Sequence, residues 1–294
     1  MPITAIEVKA LRERTGAGMM ECKKALTETN GDLDEAIALL RKKGAASAEK
    51  KSGRIAAEGV VELGVSPDRS LAVLVELNCE TDFVAKDDSF KSFAREIAGA
   101  VMNSRPPSIE DAVDLALSGG QTIEAARQEL IAKIGENISL RRFELIEGEA
   151  GTLAGYVHGS RIGVVVQLST SSEEEVGRDI AMHIAASRPL CIDENAMPAE
   201  VLQKEQDIYS AQAAESGKPA EIVEKMVSGR ISKFLKENTL VGQPFVKNPD
   251  QTVGEMLATH DAAVLTMHRF EVGEGVEKRS DDFVAEVMAQ AQGG

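Results

Sequence analysis

The chain has 294 residues, of which 43% are hydrophobic, 28% charged and 3% aromatic. It is long enough for two or three units with their own cores, and no apolar run approaches the roughly 20 residues needed to span a bilayer. The net charge of −15 repels phosphate groups, which argues against independent binding of nucleic acid and gives membrane binding no support. A protein partner is therefore favoured.

The first 45 residues are predicted to form a separate module of three helices. Thr4 can cap the first helix, the sequence TGAG at 15–18 ends it, and Asp32 can cap the third. Residues 46–58 are small, polar and basic, which predicts a linker of partly helical character. The opening residues carry no basic segment followed by an apolar one, so we expect a cytoplasmic protein.

From residue 59 onward the chain repeats one pattern. GVVELGVSPDRSLAVLVEL and GTLAGYVHGSRIGVVVQL each predict a strand, a turn with an arginine and a second, valine-rich strand. A helix that closes with Ser-Arg-Pro follows each pair, and each half ends with an Arg-Phe-Glu strand. We therefore predict an α+β fold with two duplicated subdomains, residues 59–150 and 151–278, each an antiparallel sheet covered by helices.

The second half carries an insertion at residues 198–240. Its two helical patterns, separated by Ser-Gly-Lys, predict a protruding helical hairpin, although an ordinary packed helix pair fits the periodicity equally well. Residues 279–294 are predicted to form a C-terminal module, in which DDFVAEVMAQAQ is the final helix.

Signatures of catalysis are absent from the sequence. It contains no GxxxxGK[ST], GxGxxG, HExxH or GxSxG motif, and its three cysteines form no CxxC pair, so we expect no enzyme, metal site or cofactor. His183 and His268 lie in amphipathic elements and are interpreted as structural, and His260 as a helix C-terminal residue. His158 lies in a hairpin turn, where functional side chains are common.

The stretch NCETDFVAKDDSF at 78–90 places an aromatic residue among acids, just past an apolar strand. In one interpretation Phe83 is a core residue and Asp82 a helix cap. In the other, Phe83 is an exposed anchor that enters a pocket of a partner, and the charge of Asp82 contacts the partner's polar groups. The pattern alone leaves both open.

Five motifs, in this order, resemble the bacterial translation elongation factor Ts family. They are TGAGMMECKKAL (15–26), NCETDFVAKDDSF (78–90), KIGENI (133–138), HIAASRP (183–189) and GQPFV (242–246). The resemblance runs from near residue 4 to near residue 290. It implies a ubiquitin-associated-like N-terminal module, the duplicated core and the inserted hairpin.

The resemblance also implies a function and a set of contact residues. The chain would be a guanine-nucleotide exchange factor that binds elongation factor Tu in its GDP-bound and nucleotide-free forms. The segment that enters the GTPase beside its magnesium site would consist of Thr81, Asp82, Phe83 and Val84. The other implied contacts are Leu11, Arg12, Thr15, Gly16, Ala17, Met19, Met20, Ile134, Gly135, His158 and Gly159.

Two other classes of function remain open. A scaffold or chaperone would bind a GTPase through the same surfaces without changing its affinity for nucleotide. An enzyme with a dispersed site would use Asp82 and His158 together. The sequence also leaves open whether the protein forms a homodimer or a 2:2 complex with its partner.

Overall fold

A computed structural model gives the fold and describes residues 3–170, 174–215 and 219–276. The helices are α1 (Ala5–Thr15), α2 (Met19–Glu28), α3 (Leu33–Lys51), α4 (Asp82–Ala85), α5 (Asp88–Ser104), α6 (Ile109–Ala112), α7 (Ile123–Ile134), α8 (Glu174–Ser187), α9 (Ala199–Ala214), α10 (Ala220–Asn238) and α11 (Val253–Thr259). The strands are β1 (Glu58–Val65), β2 (Leu71–Cys79), β3 (Ile138–Glu147), β4 (Leu153–His158), β5 (Ile162–Leu168), β6 (Pro244–Phe245), β7 (Asn248–Thr252) and β8 (Val264–Glu271). The predicted final helix and the C-terminal module at 279–294 lie outside the described residues.

The predicted α+β class is confirmed. One three-stranded sheet has the order β1-β2-β3, a second has the order β4-β5-β8, and β6 pairs with β7 in a two-stranded ribbon. Strands β4 and β5 pair antiparallel, from Leu153 opposite Gln167 to His158 opposite Ile162. Each three-stranded sheet thus joins two consecutive strands to one that comes later in the chain. None of the described helices is both long enough and apolar enough to cross a bilayer.

The chain divides into two compact units. The described residues of the first unit fall within Met1–Val60, Val75–Phe143 and Glu271–Gly294, and those of the second within Val61–Leu74 and Glu144–Phe270. The subdomain boundary at residues 150 and 151 stays a prediction.

The N-terminal helices of the first unit begin at the predicted caps. Thr4 and Glu7 form a capping box, in which the amide N–H of Glu7 donates to Thr4 Oγ1 at 3.3 Å and that of Thr4 donates to Glu7 Oε2 at 2.7 Å. The Asp32 side chain accepts from the amide of Glu35 at 2.9 Å. The three helices enclose a small core of Val8, Leu11, Cys22, Ala25, Leu26 and Ala36.

Helix α3 extends to Lys51, so the first part of the predicted linker is helical. Its buried residues beyond the N-terminal core are small, Gly44 and Ala48. A Cβ atom on Gly44 would lie 3.7 Å from the Cβ of Ala132 on α7, which is ordinary van der Waals contact. Helices α3 and α7 therefore approach each other closely through small side chains.

Strand β2 carries a buried carboxylate. Glu76 has no exposed surface, and its oxygens accept from Arg141 Nη1 at 2.9 Å, from Arg142 Nε at 2.6 Å and from the amide of Gly273 at 2.8 Å. Arg141 also donates to the carbonyl of Glu274. A charge in the protein interior needs several partners of this kind, and here they join β2, β3 and the segment after β8.

The second unit contains the inserted helical hairpin. Among its described residues, Ala213 is the only buried residue of α9, and α10 has none. The chain segments before α9 and after α10 meet, because Cys191 and Thr239 form a parallel bridge and the amide of Leu240 donates to the carbonyl of Cys191 at 2.8 Å. The hairpin is thus held to the rest of the unit by backbone hydrogen bonds at its base.

His183 on α8 is buried in this unit, as its structural interpretation requires. The amide of Val246 donates to His183 Nδ1 at 3.2 Å, so Nε2 carries the proton and donates to Gln243 Oε1 at 2.9 Å. Burial lowers the pKa of His183, and the hydrogen bond with Gln243 only partly opposes this. The folded protein therefore holds a neutral imidazole.

Stability is expected to depend on pH through His183. Unfolded histidine takes up a proton near pH 6.5, and the folded state resists this because its pKa is lowered. The contribution is therefore flat above about pH 6.5, and below it stability falls by up to about 1.4 kcal/mol per pH unit. Urea unfolding between pH 5 and 8 should show a steeper decline for the native chain than for His183→Gln. Equal slopes would contradict this assignment.

Candidate functional site

The segment Thr81–Val84 forms a turn between β2 and α5. Thr81 has an extended backbone and is the N-cap of the one-turn helix α4, where its Oγ1 accepts from the amide of Val84 at 3.4 Å. Asp87 then caps α5 through the amides of Ser89 and Phe90. Asp82 is therefore not the cap of α4, which corrects the first of the two interpretations of this stretch.

Phe83 lies on the surface, with 80% of its area exposed. The next two residues, Val84 and Ala85, are buried. The interpretation of Phe83 as a core residue is therefore wrong, and Val84 is the residue that anchors the turn to the core. An exposed aromatic side chain on a turn whose neighbouring residues are buried is typical of a binding contact rather than of a packing residue.

Asp82 is exposed next to Phe83 and pairs with Lys86, one helical turn later, at 2.6 Å. The hydrogen bond from Lys86 lowers the pKa of Asp82, so its carboxylate is charged at neutral pH. A surface pair of this kind contributes little to stability, and Asp82 can exchange Lys86 for a group on a partner at small cost.

The predicted contact residues Ile134 and Gly135 lie at the end of α7. Gly135 is exposed and has a φ of 92°, a conformation that favours glycine at a helix C-terminus. The following residue, Glu136, accepts hydrogen bonds from the amides of Glu80 and Thr81. The structure thus brings two predicted site segments together, although the sequence interpretation missed Glu136.

The predicted N-terminal contact residues surround the turn between α1 and α2. Met19 and Met20 expose 53% and 64% of their areas, and Arg12 is also exposed. Leu11 is fully buried, so its side chain supports this turn from the core instead of facing a partner. The Thr15 hydroxyl donates to the carbonyl of Leu11 at 2.8 Å, and Gly16 follows with a φ of 67°. Ala17 is half-buried.

His158 and Gly159 belong to the second unit, at the turn between β4 and β5. The His158 side chain is exposed, and its Nδ1 lies 3.0 Å from the Tyr156 hydroxyl. Gly159 and Ser160 both have positive φ, 56° and 58°, which makes the turn tight. His158 is thus the last residue of β4, directly before a tight turn.

The described residues offer little for covalent or metal chemistry. No cluster of three or more His, Cys, Asp and Glu side chains that could hold a metal occurs in the part of the chain that the structure describes. The three cysteines are buried. Burial, reinforced by nearby Glu136, raises the pKa of the Cys79 thiol to about 12, and burial also raises the pKa of Cys191. Neither thiol is activated as a nucleophile.

Comparison with known proteins gives a consistent result. The family model described as Elongation factor TS matches residues 80–274. Elongation factor Ts of Methylococcus capsulatus is 58% identical over 292 residues, 99% of each chain, and that of Thioalkalivibrio sulfidiphilus is 58% identical over 294 residues, 100% of each chain. Elongation factor Ts of Legionella pneumophila strain Paris is 53% identical over 290 residues, 99% of each chain.

Proposed function

Because this chain belongs to the elongation factor Ts family, we propose that it releases GDP from elongation factor Tu by inserting its Thr81–Val84 turn beside the magnesium and phosphate groups. Membership of the family makes the chain a nucleotide exchange factor for elongation factor Tu in translation elongation. The observation that carries the finer proposal is the exposure of Phe83 on an anchored turn. We place this activity in the cytoplasm.

Exchange requires differential binding and no covalent chemistry. A GTPase holds GDP through backbone amides, a lysine and magnesium, so GDP leaves slowly. A factor that prefers the nucleotide-free GTPase weakens nucleotide affinity by the same factor as its own preference. Each tenfold of that preference requires about 1.4 kcal/mol of contacts made only with the nucleotide-free form.

Phe83 supplies part of this free energy. Burial of a phenylalanine side chain is worth roughly 1.5–3 kcal/mol, which corresponds to about tenfold to a hundredfold in nucleotide affinity. The charged Asp82 next to it would engage polar groups near the magnesium site. Larger effects need further contacts, which we assign to the exposed Met19 and Met20, to the Ile134-Gly135 helix end and to the His158-Gly159 turn.

The direct test is nucleotide release. Elongation factor Tu loaded with a fluorescent GDP analogue is mixed with excess unlabelled GDP, and release is followed while this protein is titrated. We expect release to accelerate with the concentration of the factor and then to saturate. An absence of acceleration, with binding demonstrated in the same mixture, would contradict exchange.

The same experiment separates the alternatives. A scaffold would bind the GDP-bound and nucleotide-free GTPase equally and leave release unchanged. An enzyme would alter the nucleotide, which chromatography of the released product would reveal. We expect the released GDP analogue to be recovered intact.

A further inference from the structure

The carboxylate of Glu136 lies directly beneath the Thr81–Val84 turn. Its Oε2 accepts from the amide of Glu80 at 3.1 Å and from that of Thr81 at 3.0 Å, and its Oε1 accepts from the Thr81 hydroxyl at 2.7 Å. Hydrogen bonds to a charged acceptor are stronger than those between neutral groups. One side chain, 55 residues further along the chain, therefore holds the start of the turn through three bonds.

The Thr81 hydroxyl links Glu136 to the first turn of α4. It donates its proton to Glu136, and its oxygen accepts from the amide of Val84 as the helix cap. Val84, the residue after Phe83 in the chain, has a buried side chain. Phe83 is thus exposed between two fixed points, the bonds to Glu136 before it and the packing of Val84 after it.

Residues 80–81 and residues 136–137 bind each other in both directions. Glu136 binds the amide of Glu80, and the Glu80 side chain accepts from the amide of Asn137 at 2.6 Å. Arg54 pairs with the same Glu80 oxygen at 3.4 Å, and the Asn137 side chain donates to the carbonyl of Arg54 at 2.8 Å. Neither segment can shift without breaking bonds in the other, so Glu136 itself has a fixed position.

A fixed turn matters for binding. If the backbone around Phe83 had to be ordered on binding, the entropic cost would offset the free energy gained by burying the ring. The apparent affinity for a partner falls in proportion to the fraction of molecules that hold the competent conformation. We propose that Glu136 is a positioning residue for exchange, which holds the Thr81–Val84 turn in the conformation that presents Phe83 to the GTPase. This inference rests on the function proposed above.

Hydrogen exchange of the free protein tests the positioning itself. Glu136→Gln makes the acceptor neutral and turns one of its two oxygens into an NH2 group, so the three bonds cannot all persist at their native strength. The Glu80 and Thr81 amides should then exchange at least about tenfold faster than in the native chain. Glu129→Gln is the matched control, because Glu129 is an exposed acid on α7 that accepts from Gln121. Unchanged protection of the two amides in Glu136→Gln would overturn the proposal.

Nucleotide release then tests the consequence for exchange. If the competent fraction falls to about one tenth, the factor concentration at half-maximal acceleration rises about tenfold, and the maximal rate stays unchanged. A role confined to folding would instead lower the unfolding midpoint of Glu136→Gln and leave the half-maximal concentration of the folded fraction unchanged, which would overturn the proposal.

The outcomes for the two proposals can be told apart. If the native chain accelerates release and Glu136→Gln does so with the same half-maximal concentration, only the positioning role fails. If the native chain itself gives no acceleration, the proposed function fails, and the role in exchange assigned to Glu136 fails with it.

Discussion

Replacement of Phe83 by alanine is expected to lower the maximal acceleration of GDP release by about tenfold to a hundredfold, because it removes roughly 1.5–3 kcal/mol of burial in the complex. The free protein should lose almost nothing, since 80% of the Phe83 side chain is already in contact with water. Release of the fluorescent GDP analogue measures the first effect, and thermal unfolding of the free variant measures the second.

Two controls make this result specific. Leu265→Ala removes another exposed apolar side chain, in the second unit, and should leave exchange unchanged. Phe90→Ala removes a fully buried ring and should cost about 3–5 kcal/mol of stability. If the unfolding midpoint of Phe83→Ala fell as far as that of Phe90→Ala, Phe83 would be a core residue and the proposed contact role would be contradicted.

Replacement of Glu76 by alanine is expected to lower the free energy of unfolding by about 3 kcal/mol. The change leaves the amide of Gly273 without its acceptor and leaves two neighbouring guanidinium groups, of Arg141 and Arg142, without their shared carboxylate. The expected loss lies at the low end of the range of about 3–5 kcal/mol for breaking a buried ion pair, because both arginines are partly exposed and can turn toward water. Urea unfolding at neutral pH measures the change.

The variant Glu76→Gln keeps an oxygen for the Gly273 amide and should therefore lose less than Glu76→Ala. Glu13→Ala is a suitable control, because Glu13 forms an exposed pair with Lys9 at 3.8 Å and should contribute little. An unfolding curve of Glu76→Ala that overlays the native one would show that the buried cluster adds no net stability.

Local sequence signals predicted many elements of the fold. Caps such as Thr4 and Asp32 mark helix starts because their side chains bind the first free amides of the helix, a rule that needs no tertiary information. The extension of α3 to Lys51 could not be predicted with the same ease. Gly44 faces Ala132 of α7, and Ala48, the other buried residue in this part of α3, is also small, so there is no stripe of large apolar residues to mark the extension.

The candidate site was predicted in part. The two interpretations of Phe83 used the same residues, and the exposure of Phe83 itself, with Val84 and Ala85 buried after it, decides between them. Strand β2 is buried along its whole length, so it shows no alternation that would indicate which way the following residues face. Glu136 was missed because its partners are mainly backbone amides 55 and 56 residues away, which have no signature in sequence.

The meeting of Cys191 and Thr239 at the base of the helical hairpin has a consequence for how this protein can evolve. Because the hairpin begins and ends at adjacent points of the second unit, the distance that its two ends must span is the same for a long hairpin, a short one or a tight loop. Mutations that add or delete helical turns there need no compensating change in the sheet, so selection can alter the length of this arm independently of the surfaces that carry out exchange.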